Sequence, residues 1–299
     1  MTLITSPSDV VFESVLLPLK RAITHSDSIL VKSAAIRALS ISTFYGGASD
    51  EAILDVMDYF LEIVSSDGHV ISAPDEPSPV VSASEEWGFL CTLVEDISEH
   101  SEEYVETFSE QINSSYASVQ IAAGENIALL YEKSFKALGH DDDDHRGDYS
   151  PTDIISDPDE PKSSPKIVRL YPAYRRTDQL LHSLQSVSRN NHLSVHQISK
   201  DDRKALKSNF SDIANSVEFP GRGPKYSNAF DQESGKRYGS RMNVKIHKAG
   251  VMRIDSWWKL LRLKELRRVL QGGFVTHYET NEVVFETLPI MIAAEKDDD

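Results

Sequence analysis

The chain has 299 residues, 40% of them hydrophobic, and a formal net charge of -16, which allows one long or two ordinary domains with a sizeable core. Its single cysteine, Cys91, lies in an apolar helical pattern; it excludes an internal disulfide and a cysteine-rich zinc site and fits a reducing compartment, cytoplasm or nucleus. No run approaches the roughly 18 apolar residues of a membrane span, and Met1 to Thr24 lacks a basic start, an apolar block and a small-residue cleavage site.

Up to Gly139 apolar residues recur at helical spacing. Helices are predicted over Val10 to Ile23, Ile29 to Tyr45, Glu51 to Val64, Glu85 to Ile97, Glu102 to Ile112 and Val119 to Leu138. Ser49, Ser84 and Ser101, each followed by acidic residues, read as N-terminal caps that also suit the helix dipole. Asp75 to Ser84 reads as a long loop, and strand signals are absent from this region. VKSAAIRALS at Val31 to Ser40 and VQIAAGENIALLYE at Val119 to Glu132 both set paired alanines inside an apolar face. Small residues let helices approach closely, as in stacked helix pairs of the armadillo and HEAT kind, or in an orthogonal bundle.

His140 to Lys166, HDDDDHRGDYSPTDIISDPDEPKSSPK, is dense in Asp, Pro and Ser with few apolar anchors, and is predicted to be a disordered acidic linker. Beyond it, helices are predicted over Arg176 to Val187 and over Asp201 to Val217, the second capped by Ser199. Phe219 to Arg241 holds too many Gly, Pro, Ser and Asn for regular structure and reads as a basic loop. Met242 to His247 and Val251 to Ile254 form a predicted hairpin. Asp255 or Ser256 then caps a helix from Trp257 to Leu270, ended by Gly272 and Gly273. Asn281 can cap a short helix, Glu282 to Leu288, although EVVFETL also passes as a strand. The expected organisation is a HEAT/armadillo-like helical solenoid over 1–139, the linker over 140–166, a basic, mainly helical C-terminal domain with a short β-hairpin over 167–294, and an acidic tail over 295–299.

Charge divides the chain unequally. Met1 to Pro165 carries 8 Lys or Arg against 31 Asp or Glu, and Lys166 to Asp299 carries 23 against 16, about -23 and +7. Such a split points to a basic surface for a polyanion, or to a positive face that docks on the acidic half. In the helix from Trp257 to Leu270 apolar residues fall on nearly every side, so its tryptophans belong to a core. Its cations, with those of the preceding loop and hairpin, make a phosphate-binding face. The expected contacts are Arg222, Lys225, Lys236, Arg237, Arg241, Lys245 and Lys248, beside Arg262, Lys264, Arg267 and Arg268. Changing Arg262, Arg267 and Arg268 to Gln is then expected to leave stability nearly unchanged.

Catalytic signals are few. HDDDDH at His140 to His145 and HLSVH at His192 to His196 offer metal ligands without a third partner, and read as solvated surface. GRGP at Gly221 to Pro224 and QGGF at Gln271 to Phe274 lack the Gly-Lys-Ser or Thr ending of a phosphate loop, and no GxSxG is present. No enzyme, cofactor, metal or small-molecule substrate is expected.

VQIAAGENIALLYE, and DSWWKLLRLKELRRVLQGGFVTHYETN after MNVKIHKAGVMRI, resemble the interferon-related developmental regulator family. The resemblance rests on Ala123, Gly124 and Glu125 in the first block, and on Asp255, Ser256, Trp257, Leu270, Gly273, His277 and Asn281 in the second. It implies an array of HEAT-like helices followed by the family's C-terminal domain. It further implies a non-enzymatic role, as a ribosome-associated factor contacting ribosomal RNA and proteins or as a transcriptional co-regulator acting as a protein scaffold. The basic segment favours the first, with cytoplasmic and also nuclear residence and no membrane partner.

Overall fold

The computed structural model describes residues 2–6, 8–138, 153–155, 157, 166–189, 199–226, 242–247 and 250–289. After a short α1 (Thr2–Thr5), helices come in pairs: α2 (Val11–His25) with α3 (Ile29–Tyr45), α4 (Asp50–Ser65) with α5 (Pro77–Cys91), α6 (Ser101–Gln111) with α7 (Ala117–Lys133), and α8 (Thr177–Ser188) with α9 (Lys200–Glu218). The members of each pair pack together, and the second helices form a continuous row, α3 on α5, α5 on α7 and α7 on α9. Burial follows from that position. The inner helix α7 buries 12 of its 17 residues, whereas the outer α2 buries only Phe12 and Ile23.

Small residues set the spacing of the row. A Cβ at Gly124 would stand 2.6 Å from Ile213 Cδ1, so α7 and α9 approach more closely than any larger residue permits. The expected helical array is therefore present, and it includes α8 and α9, which the sequence reading assigns to the domain beyond the linker. Buried residues from Ile4 to Leu288 join one core across the expected boundary.

Two small antiparallel sheets accompany the helices. Strands β1 (Phe135–Ala137), β2 (Ile154–Ile155) and β3 (Ile167–Arg169) lie in the order β1-β3-β2, with Phe135 opposite Arg169 and Ile154 opposite Val168. The predicted hairpin forms from β4 (Met242–His247) and β5 (Gly250–Ile254), with Met242 opposite Ile254 and Val244 opposite Met252. Alternation puts Val244, Ile246, Met252 and Ile254 in the core. Helix α10 (Trp257–Leu270) lies against α5 and α7, and α11 (Phe274–Thr280) and α12 (Glu282–Thr287) bring the chain back to its beginning. There the Tyr45 and Thr287 hydroxyls are 3.0 Å apart.

Several local expectations change. The loop expected over Asp75 to Ser84 is mostly helix: α5 starts at Pro77, and Pro77 and Pro79 fall in the first turn, whose N–H groups have no helical acceptor. The same helix ends at Cys91, not Ile97. Ser84 is consequently buried in mid-helix instead of capping it. Ser101 does not cap α6 either; its hydroxyl donates to Ala173 O at 3.1 Å. Strand β1 replaces the last turn expected of the helix running to Leu138. Ile154 and Ile155, expected in the linker, form β2, because two adjacent β-branched residues can pair with β3; most of 140–166 and all of 295–299 lie outside the described residues. A helix, α11, follows Gly273 where no element was expected.

Other signals hold. Ser49 and Ser199 accept from Ala52 N at 3.2 Å and Asp202 N at 3.0 Å. Asn281 Oδ1 accepts from Val283 N at 2.9 Å, which selects the helical alternative for the segment after it.

Candidate nucleic-acid interface

The predicted basic residues fall into three groups. Lys236, Arg237, Arg241 and Lys248 lie outside the described residues. Lys245 and Arg267 are exposed, Lys245 on the outward side of β4 and Arg267 on α10, with its guanidinium 5.8 Å from the Phe274 ring centre. The remaining five are engaged within the chain.

Arg222 is buried. Its guanidinium grips the Asp157 carboxylate, with Nη2 to Oδ1 at 2.6 Å, and lies over the Phe219 and Tyr226 rings. Just after it the backbone runs against the segment that enters α10, since a Cβ at Gly223 would meet Asp255 O at 1.9 Å. Lys225 Nζ stands 3.6 Å from Asp212 and donates to Ser208 Oγ at 3.1 Å. Burial pushes the Asp212 carboxyl up, and Lys225 opposes that shift.

On α10 the cations point back into the helical row. Arg262 donates to Thr92 Oγ1 at 2.9 Å, Thr92 O at 3.0 Å and Thr287 O at 2.9 Å, so it closes the C-terminal end of α5 and ties it to α12. Burial lowers its pKa. Lys264 Nζ donates to Glu125 Oε2 at 2.6 Å. Arg268 reaches Glu86 Oε1 and Glu265 Oε2, each at 2.9 Å, while Arg37 donates to the same Glu86 oxygen at 3.2 Å. Glu86 is fully buried, and burial together with the neighbouring Glu265 raises its pKa; Glu265 is raised by burial as well.

The start of α10 is held by a partner the sequence reading missed. Ser256 occupies the cap position without a side-chain bond; Asp255 pairs instead with Lys259 at 2.7 Å. The half-buried Glu132 of α7 accepts through its carboxylate from Trp257 N at 2.5 Å and Trp258 N at 3.1 Å. Burial pushes this carboxyl up to about 7 although both N–H groups favour its charge. Trp257 is in the core as expected, and its indole N–H donates to Ser216 Oγ at 2.7 Å.

The two family-like blocks therefore meet in space. Ala123 is buried, Gly124 admits α9, and Glu125 takes Lys264. Leu270 is buried, Gly273 precedes α11, and His277 O accepts from Asn281 N at 2.8 Å as the chain enters α12.

Beside Lys245, further polar and basic residues face outward. Asn243 and Lys245 on β4 and Arg253 on β5 share the hairpin's outward face, with Asn243 opposite Arg253. On α9, Lys200, Lys204 and Lys207 are exposed at i, i+4 and i+7, on one side of the helix. Arg253 and these lysines were not singled out from sequence. Alternation around the hairpin and helical spacing from Ser199 were the available signals. Among the described residues no cluster of three or more His, Cys, Asp or Glu could hold a metal ion, and no helix is long and apolar enough to cross a membrane.

Paired helices in a row, closed by a C-terminal helix, define a helical-repeat protein. The sequence profile of the interferon-related developmental regulator family matches residues 1–218, and the chain belongs to that family. The matched region ends with α9, where the row ends. An uncharacterised protein of Schizosaccharomyces pombe, C20F10.03, is 28% identical over 235 residues, 77% of this chain and 44% of the relative. The chain thus spans less than half the length of the curated relative it matches.

Proposed function

We propose that this protein is a non-enzymatic, ribosome-associated factor that binds ribosomal RNA through a basic C-terminal surface and helps to silence or store ribosomes, in the cytoplasm and also the nucleus. The observation that supports this reading is the outward face of the hairpin, where Lys245 and Arg253 stand exposed, in a stretch of sequence that also carries Lys236, Arg237, Arg241 and Lys248. Exposed cations at that spacing suit phosphate contacts, which give affinity without catalysis. Arg267 extends the set, whereas Arg222, Arg262 and Arg268 serve the fold.

The test is sedimentation with ribosomes from a cell extract, before and after nuclease treatment. The wild-type protein is expected to co-sediment, and release by nuclease is expected. Lys245→Gln with Arg253→Gln should weaken binding and flatten its salt dependence by up to about one unit of log-log slope per lost contact. Co-sedimentation unaffected by salt, nuclease and both substitutions would instead favour the protein-scaffold role in transcriptional co-regulation.

A further inference from the structure

A cleft of about 370 Å³ opens between the start of α4 and the turn that follows α5. Ile53, Leu54, Leu93 and Val94 line it with apolar surface, and Asp50, Glu95 and Asp96 stand at its rim. From that rim an acidic face continues along the molecule. Glu51, Asp55, Asp58 and Glu62 are exposed along one side of α4, and the adjacent α6 adds Glu103 and Glu110. Among the described residues none of these carboxylates has a Lys or Arg within ion-pair distance. The Asp58 pKa is raised chiefly by burial, with smaller contributions from Glu103 and Asp55, against His100 and the Tyr104 hydroxyl.

We propose that this cleft docks a lysine- or arginine-rich protein segment bearing an apolar anchor, with the anchor seated on Leu54, Leu93 and Val94 and the cations along the α4 carboxylates. Charge complementarity selects the occupant. An RNA strand meets mainly repulsion here, since Lys133, which donates to Val94 O at 2.5 Å, and His100 near Asp58 are outnumbered by the carboxylates, and a neutral apolar peptide would leave the carboxylate row unmatched. The apolar floor supplies short-range affinity and the row supplies steering and register.

The probe is a fluorescein-labelled peptide of lysines around two leucines, titrated into the full-length protein by fluorescence anisotropy. A matched peptide with serines in place of the leucines is expected to bind about tenfold more weakly, the loss set by the anchor. Neutralising Glu51→Gln, Asp55→Asn and Glu95→Gln together should weaken the leucine peptide by about tenfold and leave ribosome sedimentation unchanged, since all three are exposed acids that take no part in the basic surface. Leu54→Ser should bring the leucine peptide down to the affinity of the serine peptide. Equal binding of the two peptides by the wild-type protein would overturn the anchored mode without recourse to any variant. So would full binding by the neutralised protein.

Discussion

Replacing Arg268 with Gln tests whether the α10 cations hold the fold or merely decorate it. The guanidinium is the contact that joins Glu86 of α5 to Glu265 of α10, at 2.9 Å to each. Glu86 is fully buried and Glu265 nearly so. Removing one partner of a buried ion pair costs about 3–5 kcal/mol, because the remaining charge stays desolvated. Two features reduce that here: Arg37 remains 3.2 Å from Glu86, and both carboxyls, already raised by burial, can take up a proton. At pH 7 the expected loss is therefore about 2 kcal/mol, which is a large share of a typical domain's stability. Urea denaturation followed by far-UV circular dichroism measures it as a lower midpoint at an unchanged slope. As pH falls the loss should shrink, since both carboxyls, raised by burial, take up protons more readily once the guanidinium is gone. Arg267→Gln, on the same helix but exposed, should stay within about 0.5 kcal/mol of wild type. If Arg268→Gln and Arg267→Gln have the same midpoint at pH 7, the network contributes nothing and the reasoning fails. The expectation that Arg262, Arg267 and Arg268 can be changed together without a stability cost does not survive the contacts made by the first and last of them.

Two further outcomes follow from the seam. Glu132, raised to about 7, contributes stability that is fully present below the ordinary glutamate value of 4.5 and is lost as pH rises through 7; thermal melting should fall between pH 5 and 8 by up to about 3 kcal/mol in stability, and Glu132→Gln should flatten that slope. Gly124→Ala forces a methyl towards Ile213 Cδ1, 2.6 Å from the new Cβ, and should destabilise by about 1–3 kcal/mol in the same denaturation assay, whereas Gly272→Ala, with open space around it, should not cause such overpacking.

Much of the helical array was legible because periodic apolar spacing survives tertiary packing. Ser49, Ser199 and Asn281 also cap where local chemistry said they would, since a cap bond forms within three residues of chain. The failures were of two physical kinds. Pro77, Pro79 and the serines around them resemble a loop by composition, yet proline in a first turn leaves no unmet donor, and a small serine tolerates burial between α5 and α7. The second kind is non-local pairing. Nothing near Ile154 and Ile155 in sequence announces that β3 would accept them, nor does anything near Asp157 reveal that Arg222 lies beside it.

The charge split had two readings in the sequence, a free basic face or a positive surface docked on the acidic half, and α10 follows the second. The deciding signal lay in the acids more than in the cations. Glu86 and Glu125 sit in mid-helix and Glu132 in the last turn of α7, among Trp87, Phe89, Ala123, Leu129 and Leu130, where an ionised carboxylate away from water costs on the order of several kcal/mol unless a cation or N–H group meets it. Each glutamate therefore required a donor from elsewhere in the chain. A helix apolar on all sides but studded with Lys264 and Arg268, and offering free N–H groups at Trp257 and Trp258, supplies all three. An acid stranded within an apolar inner helix is thus the stronger pointer to a basic partner than a basic run is to a phosphate. The same criterion separates the exposed carboxylates of α4 from these three. With water around them they need no internal cation, and so remain available to an external one.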